Sequence, residues 1–224
     1  MTLNVKAQIS PSVLSADFSR LGEQIRSVAD SGGEVLHLDV MDGHYVPNLT
    51  FGPLLVKAMR KMTDMLLEAH LMISDPDLYI ENFIEAGADI VLVHPSTCSS
   101  VEDTLKNIHS LGAKAGLVVN PFEKLSLIEP YLGLMDQLLI MSVVPGFGGQ
   151  SFMPEVLTDL PDLRQALDEH DVLVEIDGGI NKTTIGSVLG MGIHRFVAGS
   201  AIFNKHATPG ENFRTLQSLA SAGK

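Results

Sequence analysis

The chain has 224 residues, a formal net charge of −12 and an apolar share of 45%. Such an apolar share excludes a disordered chain, and the acidic balance argues against nucleic acid as a partner, because its phosphates demand a basic footprint. The sequence contains no run of 18 apolar residues, so no membrane-spanning helix is expected.

Short apolar runs predict eight strands, at 8–13, 35–41, 65–72, 90–94, 113–119, 137–143, 172–177 and 194–198. Between them, apolar residues three or four apart predict helices within 18–31, 52–61, 76–86, 100–111, 154–169 and 183–189. Strand and helix alternate, which implies parallel strands joined by crossover helices. The strands are apolar on both faces, as a sheet covered by helices requires. In the second strand Leu36, Leu38 and Val40 are expected to face the helices, and Val35, His37, Asp39 and Met41 the opposite side. An open doubly wound sheet shares this alternation. The count of eight and the compact length favour a closed α/β (β/α)₈ TIM barrel, one domain over residues 1–224. A barrel of this kind usually takes about 250 residues, so the loops must be short.

Active sites in this architecture form at the C-terminal ends of the strands. The second strand ends in His37-Leu38-Asp39-Val40-Met41-Asp42-Gly43-His44, the third in His70-Leu71-Met72, and the seventh in Glu175-Ile176-Asp177-Gly178-Gly179. His37 and Asp39 share a face. Two imidazoles and two carboxylates can converge as an N₂O₂ set suited to Zn, Fe, Mn or Co. Spacing alone equally allows hydrogen-bonded core histidines and loop-capping aspartates. Asp42-Gly43 is expected to begin a turn, with His44 structural.

Glycine-rich loops follow the last three strands: Gly146, Gly148 and Gly149 after the sixth, Gly178 and Gly179 after the seventh, Gly199-Ser200 after the eighth. Glycine lets the backbone approach a ligand and aim N–H groups at it, and a phosphate site at the last loops recurs in this fold. An acidic chain can therefore still take an anionic small molecule. Met41, Met72 and Met141 fall near strand ends, either as core filler or as an apolar cover. A Schiff-base aldolase would need an inward lysine at a catalytic strand end, and Lys114 stands at the wrong end. Cys98 is the only cysteine and has no evident partner for catalysis. The absence of disulfide pairing, and of a signal-like core after Met1 to Lys6, leads to the expectation of a cytoplasmic protein.

Six segments in order now resemble the ribulose-phosphate 3-epimerase family over essentially the whole chain. They are residues 9–12 (ISPS), 37–48 (HLDVMDGHYVPN), 69–72 (AHLM), 145–152 (PGFGGQSF), 177–180 (DGGI) and 198–203 (AGSAIF). The resemblance implies one divalent metal on His37, Asp39, His70 and Asp177, with Asp39 and Asp177 as the acid/base pair. It also implies Ser10 near the metal, a phosphorylated ketose gripped by Gly146, Gly148, Gly149, Gly178, Gly179, Gly199 and Ser200, and Met41, Met72 and Met141 lining the site. The implied reaction inverts C3 of D-ribulose 5-phosphate, in the pentose phosphate pathway, and relatives form dimers or hexamers, so a homo-oligomer is expected. Two positions depart from the family. Val144 stands where the family usually has Asn, and Ser96 where members acting on ribulose 5-phosphate have a glutamate. His94-Pro95 and the tail at 203–207 resemble the branch acting on allulose 6-phosphate, the alternative substrate.

Overall fold

The computed structural model describes residues 6–222; residues 1–5 and 223–224, including the start read above for a signal, lie outside the described residues. Eight parallel strands run in order around one sheet: β1 (Gln8–Pro11), β2 (Val35–Met41), β3 (Leu66–Met72), β4 (Ile90–Val93), β5 (Lys114–Val119), β6 (Gln137–Met141), β7 (Leu173–Asp177) and β8 (Arg195–Ala198). Each pairs with its neighbour in sequence from β2 to β8, and β8 pairs with β1. The seam between β1 and β2 is held by a single parallel bridge, Ser12 to His37, so the barrel is nearly closed. All eight expected strands are present, and the closed architecture rather than the open sheet is the one adopted.

The helices are α1 (Leu21–Ala29), α2 (Pro53–Arg60), α3 (Ile80–Glu85), α4 (Val101–Ser110), α5 (Leu160–Glu169) and α6 (Pro209–Ala222). Local chemistry explains several starts. Pro53 occupies the first turn of α2, where its missing N–H costs nothing. Ser100 accepts from the Asp103 N–H at the start of α4, with Glu102 and Asp103 in the first turn. Thr208 and Glu211 satisfy each other's backbone N–H groups ahead of α6.

Three segments differ from the sequence expectation. Residues 183–189 hold only a three-residue 3-10 turn, Ile185–Ser187. Between β5 and β6 an unanticipated 3-10 stretch, Leu125–Leu134, takes the place of an α-helix; Pro130 inside it lacks the N–H a regular helix needs. The C-terminal helix α6 was also unanticipated. It fastens the barrel's ends: Gln217 accepts from the Ile9 N–H at 2.9 Å and donates to the Ala7 carbonyl at 2.7 Å.

Alternation along the strands splits the interior in two. Leu36, Leu38, Val40, Leu67, Leu71, Val91, Leu138 and Ile176 pack outward against Ile25, Val56, Phe83, Leu105, Leu163 and Phe213. Inside the barrel a smaller apolar group, including Leu92, Val118, Leu139, Met141 and Val197, fills one side of the axis. The other side is polar, and there the site is built.

Candidate active site

In the register of β2 and β3, Asp39 lies beside His70 and His37 beside Glu68. Side chains two apart on each strand therefore stack in levels along the axis. Four donors converge near the upper level. His37 Nε2 lies 3.3 Å from His70 Nδ1, 3.3 Å from Asp39 Oδ1 and 3.7 Å from Asp177 Oδ2, and His70 Nδ1 lies 3.4 Å from Asp39 Oδ1. A tetrahedral ion with bonds of about 2.0–2.1 Å separates its ligands by about 3.3–3.4 Å. The four separations, 3.3–3.7 Å, are at or slightly above that value, and all four donor atoms lie within 4.8 Å of one another, so the set suits a small divalent ion. His37 Nδ1 lies 2.7 Å from Glu68 Oε1, the outer-shell partner that a ligating histidine usually has.

The electrostatics point the same way. Burial lowers the pKa of His37, but the charge and hydrogen bond of Asp39, with Glu68 and Asp177 behind them, outweigh it and raise it well above the usual value. The cluster therefore calls for positive charge at its centre. Burial also opposes ionisation of Asp39, yet His37 and His70 hold its carboxyl far below the usual range. Asp177 is pushed up to about 7, first by burial and then by the negative charge of Asp39. Two neighbouring carboxylates with opposite shifts form the kind of pair in which one holds a proton while the other accepts one.

Above this floor is one cavity. Asp39 and Asp177 reach its wall, whereas His37 and His70 lie beneath, fully buried. Met41, Met72 and Met141 line it, as do Gly146, Gly148, Gly149, Gly178, Gly179, Gly199 and Ser200. Gly179 cannot carry a side chain: its φ is +65°, and a Cβ would stand 2.6 Å from the Phe152 backbone nitrogen. Gln150 ties the sixth loop by donating to the carbonyls of Val144 and Phe147. Asn48 reaches across from the second loop to the Gly146 carbonyl at 2.8 Å.

Ser10 is displaced from its expected place. It lies in β1 below the cavity, fully buried, and its hydroxyl has no hydrogen-bond partner among the described residues. Ser12 is the serine at the cavity wall, donating to Asp39 Oδ2 at 2.5 Å. Both serines face inward, but only Ser12 is level with the bridge to His37. The repeated serine at a spacing of two was the signal available, and it does not say which level meets Asp39. Leu14, Ser15, Gln150 and Asn181 also line the cavity and were not anticipated; a Cβ on Gly199 would come within 2.5 Å of Ser15 Oγ.

The departures look different in three dimensions. Ser96 is exposed and lies outside the cavity wall. The Tyr45 ring covers His94, with centroids 4.7 Å apart, and its hydroxyl accepts from Asn120 at 3.0 Å. Val144 is half exposed beside the sixth loop. Asp42 begins a turn, accepting from the N–H groups of His44, Tyr45 and Ser74. Burial pushes the Cys98 thiol up to about 11, which makes it a poor nucleophile.

Comparison with known proteins agrees with this geometry. The family model described as "Ribulose-phosphate 3 epimerase family" matches residues 8–203. A ribulose-phosphate 3-epimerase of Synechocystis sp. is 50% identical over 200 residues, covering 88% of this chain and 87% of its own. The Escherichia coli K12 ribulose-phosphate 3-epimerase is 45% identical, covering 88% and 89%. The chloroplastic ribulose-5-phosphate-3-epimerase of Arabidopsis thaliana is 48% identical, covering 87% and 71%. Among solved structures, KGPDC from Streptococcus mutans superposes with a TM-score of 0.69 at 17% identity, over 97% of this chain and 98% of that one; a likeness this distant speaks to the fold alone. The chain belongs to the ribulose-phosphate 3-epimerase family and is an epimerase, an enzyme of the isomerase class.

Proposed function

We propose that the chain inverts C3 of a ketose phosphate, D-ribulose 5-phosphate, giving D-xylulose 5-phosphate, with one divalent ion (Zn, Fe, Mn or Co) held by His37, Asp39, His70 and Asp177. The observation that carries this reading is the convergence of those four donors directly below a glycine-walled cavity. The relatives' names supply the substrate. When bound, the ion supplies positive charge against the negative charge that grows on the ketone oxygen as the C3 proton leaves.

The remaining work falls to side chains. Asp39 and Asp177 project from β2 and β7, so they address the substrate from different strands. One removes the C3 proton and the other returns a proton to the opposite face, the roles exchanging with the direction of reaction. A single base on one face would restore the original configuration. Ser12 holds the Asp39 carboxylate by donating to Oδ2. Gly146, Gly148, Gly149, Gly178, Gly179, Gly199 and Ser200 grip the distal phosphate through backbone N–H groups, and Met41, Met72 and Met141 keep water from the reacting carbon. Ser96 lies outside the cavity wall, so its departure lends no support to a six-carbon substrate. The protein acts as a homo-oligomer in this reading; exposed Leu49, Leu54 at the start of α2, Leu78 and Tyr79 are the apolar surface that favours association.

The test is solvent exchange. In D₂O the metal-loaded chain should place deuterium at C3 of D-ribulose 5-phosphate, lose that activity on chelation and regain it on reloading. No exchange would sink enolisation, and release of carbon dioxide would indicate decarboxylation instead.

A further inference from the structure

Beneath the four donors lies a second polar level that the proposed reaction does not use. Glu68, Gln137, Glu175 and Arg195 are all buried there, Arg195 being 5% exposed and Glu68 fully enclosed. This end of a barrel ordinarily concerns stability, and apolar side chains would fill it at lower desolvation cost.

The hydrogen bonds give the cluster a direction. Arg195 Nη1 donates to Glu68 Oε2 at 2.9 Å and to Gln137 Oε1 at 3.1 Å. Gln137 Nε2 donates to Glu68 Oε2 and to Glu175 Oε2, each at 2.5 Å. The amide orientation of Gln137 is thereby set, since reversing it would put an NH₂ against the guanidinium. Both donors grip the same oxygen of Glu68. Its other oxygen, Oε1, is left facing His37 Nδ1 at 2.7 Å. A carboxylate paired with a guanidinium only accepts, so His37 must carry hydrogen on Nδ1. Nε2 is then the nitrogen turned toward Asp39, His70 and Asp177.

We infer that Arg195, acting through Glu68 with Gln137 as a clamp, is a positioning residue that fixes the tautomer and aim of His37 toward the divalent ion. The inference rests on the metal reading above. Arg195 touches neither ion nor substrate, and its contribution is to hold Glu68 so that the ring above it can ligate in one way only.

The experiment measures Co²⁺ and Zn²⁺ affinity of the full chain by competition with a chelator, in the wild type, Arg195→Met, Arg195→Lys and Gln137→Met. Ring ¹⁵N shifts of His37 are recorded in each at alkaline pH, where the imidazole is neutral. Arg195→Met should weaken metal binding about 10–100-fold, the usual range for an outer-shell partner, and the His37 shifts should move toward a mixture of tautomers. Arg195→Lys keeps a cation near Glu68 and should recover part of the affinity. At saturating metal, kcat should return while KM stays unchanged, which a merely structural defect would not do. A folded Arg195→Met with wild-type affinity and wild-type ring shifts overturns the inference. Should Arg195→Met fail to fold, Arg195→Lys and Gln137→Met carry the test together, the first altering the grip of the cation on Glu68 and the second removing the amide that holds Glu68 and Glu175 while keeping every charge; wild-type affinity and wild-type shifts in both overturn it as well. A wild-type chain that binds no ion would sink the metal reading, while the ring shifts would still decide whether Arg195 sets the tautomer.

Discussion

Gly179→Ala is the substitution whose consequence the structure defines most sharply. Gly179 has φ +65°, and an added Cβ would meet Phe152 N at 2.6 Å, Cα at 2.8 Å and Cβ at 2.9 Å. Left-handed backbone costs an L-residue about 1–2 kcal/mol. Two of the three colliding atoms are backbone, so the strand-exit segment around Phe152 must move, adding overpacking of about 1–3 kcal/mol. The sum is about 2–5 kcal/mol. For a chain of this size each kcal/mol lowers Tm by about 2–4 °C, so the expected loss is roughly 4–20 °C. Gly190→Ala is the control: φ is +80° but nothing lies within 4 Å of its Cβ, so only the strain of about 1–2 kcal/mol applies, or roughly 2–8 °C. The two also differ in function. The segment pushed by Gly179→Ala is anchored at Met153, whose N–H donates to the Ser142 carbonyl at 3.0 Å, and it follows the Gly146–Gly149 loop. Misplacement of about 1 Å in a positioning element can lower rate on the order of 10²-fold. Thermal unfolding and kcat/KM on the metal-loaded variants are the assays. Equal Tm losses in the two variants, with unchanged kcat/KM for Gly179→Ala, would refute the reasoning.

Asp39→Asn and Asp177→Asn should each lower turnover by at least about 10²-fold, with metal content measured alongside; near-normal turnover in either fully loaded variant counts against the acid/base assignment. A dephosphorylated ketose should show a far lower kcat/KM than the ketose phosphate, since remote binding energy is absent from its transition state; equal values would contradict a phosphate role for the glycine loops. Asp42 sits at about 2, because burial, which raises its pKa, is outweighed by the N–H groups of Ser74, His44 and Tyr45. Its folded pKa is below its unfolded one, so the stability it contributes is complete above about pH 4 and is lost as pH falls toward 2. Asp42→Asn should flatten the acid limb of Tm against pH over that interval, and an unaltered limb would remove Asp42 from the account.

Much of this molecule was legible along the chain because its signals are local. Short, nearly continuous apolar runs mark strands that are buried on both faces, and the residues toward their C-terminal ends, His37, Asp39, His70 and Asp177, can be read off once the barrel is inferred. The glycine loops were legible for the same reason, since backbone that must approach a neighbour admits no side chain at Gly179. Other features depend on relations between distant segments. Ser10 and Ser12 are alike in sequence, and only the register of β1 against β2 sets Ser12 beside His37, from where its hydroxyl reaches the Asp39 carboxylate. Ser96 stands two residues after His94, yet the ring of Tyr45 from another loop lies over that histidine. Helix α6 begins with Pro and Gly and is held by packing on the barrel's first strand. The link from Arg195 to His37 joins residues far apart in sequence through Glu68. Periodicity and turn chemistry act over a few residues and leave their mark in the sequence itself. Which inward-facing side chains meet is decided by strand register and barrel closure, and these are settled only when the whole sheet packs.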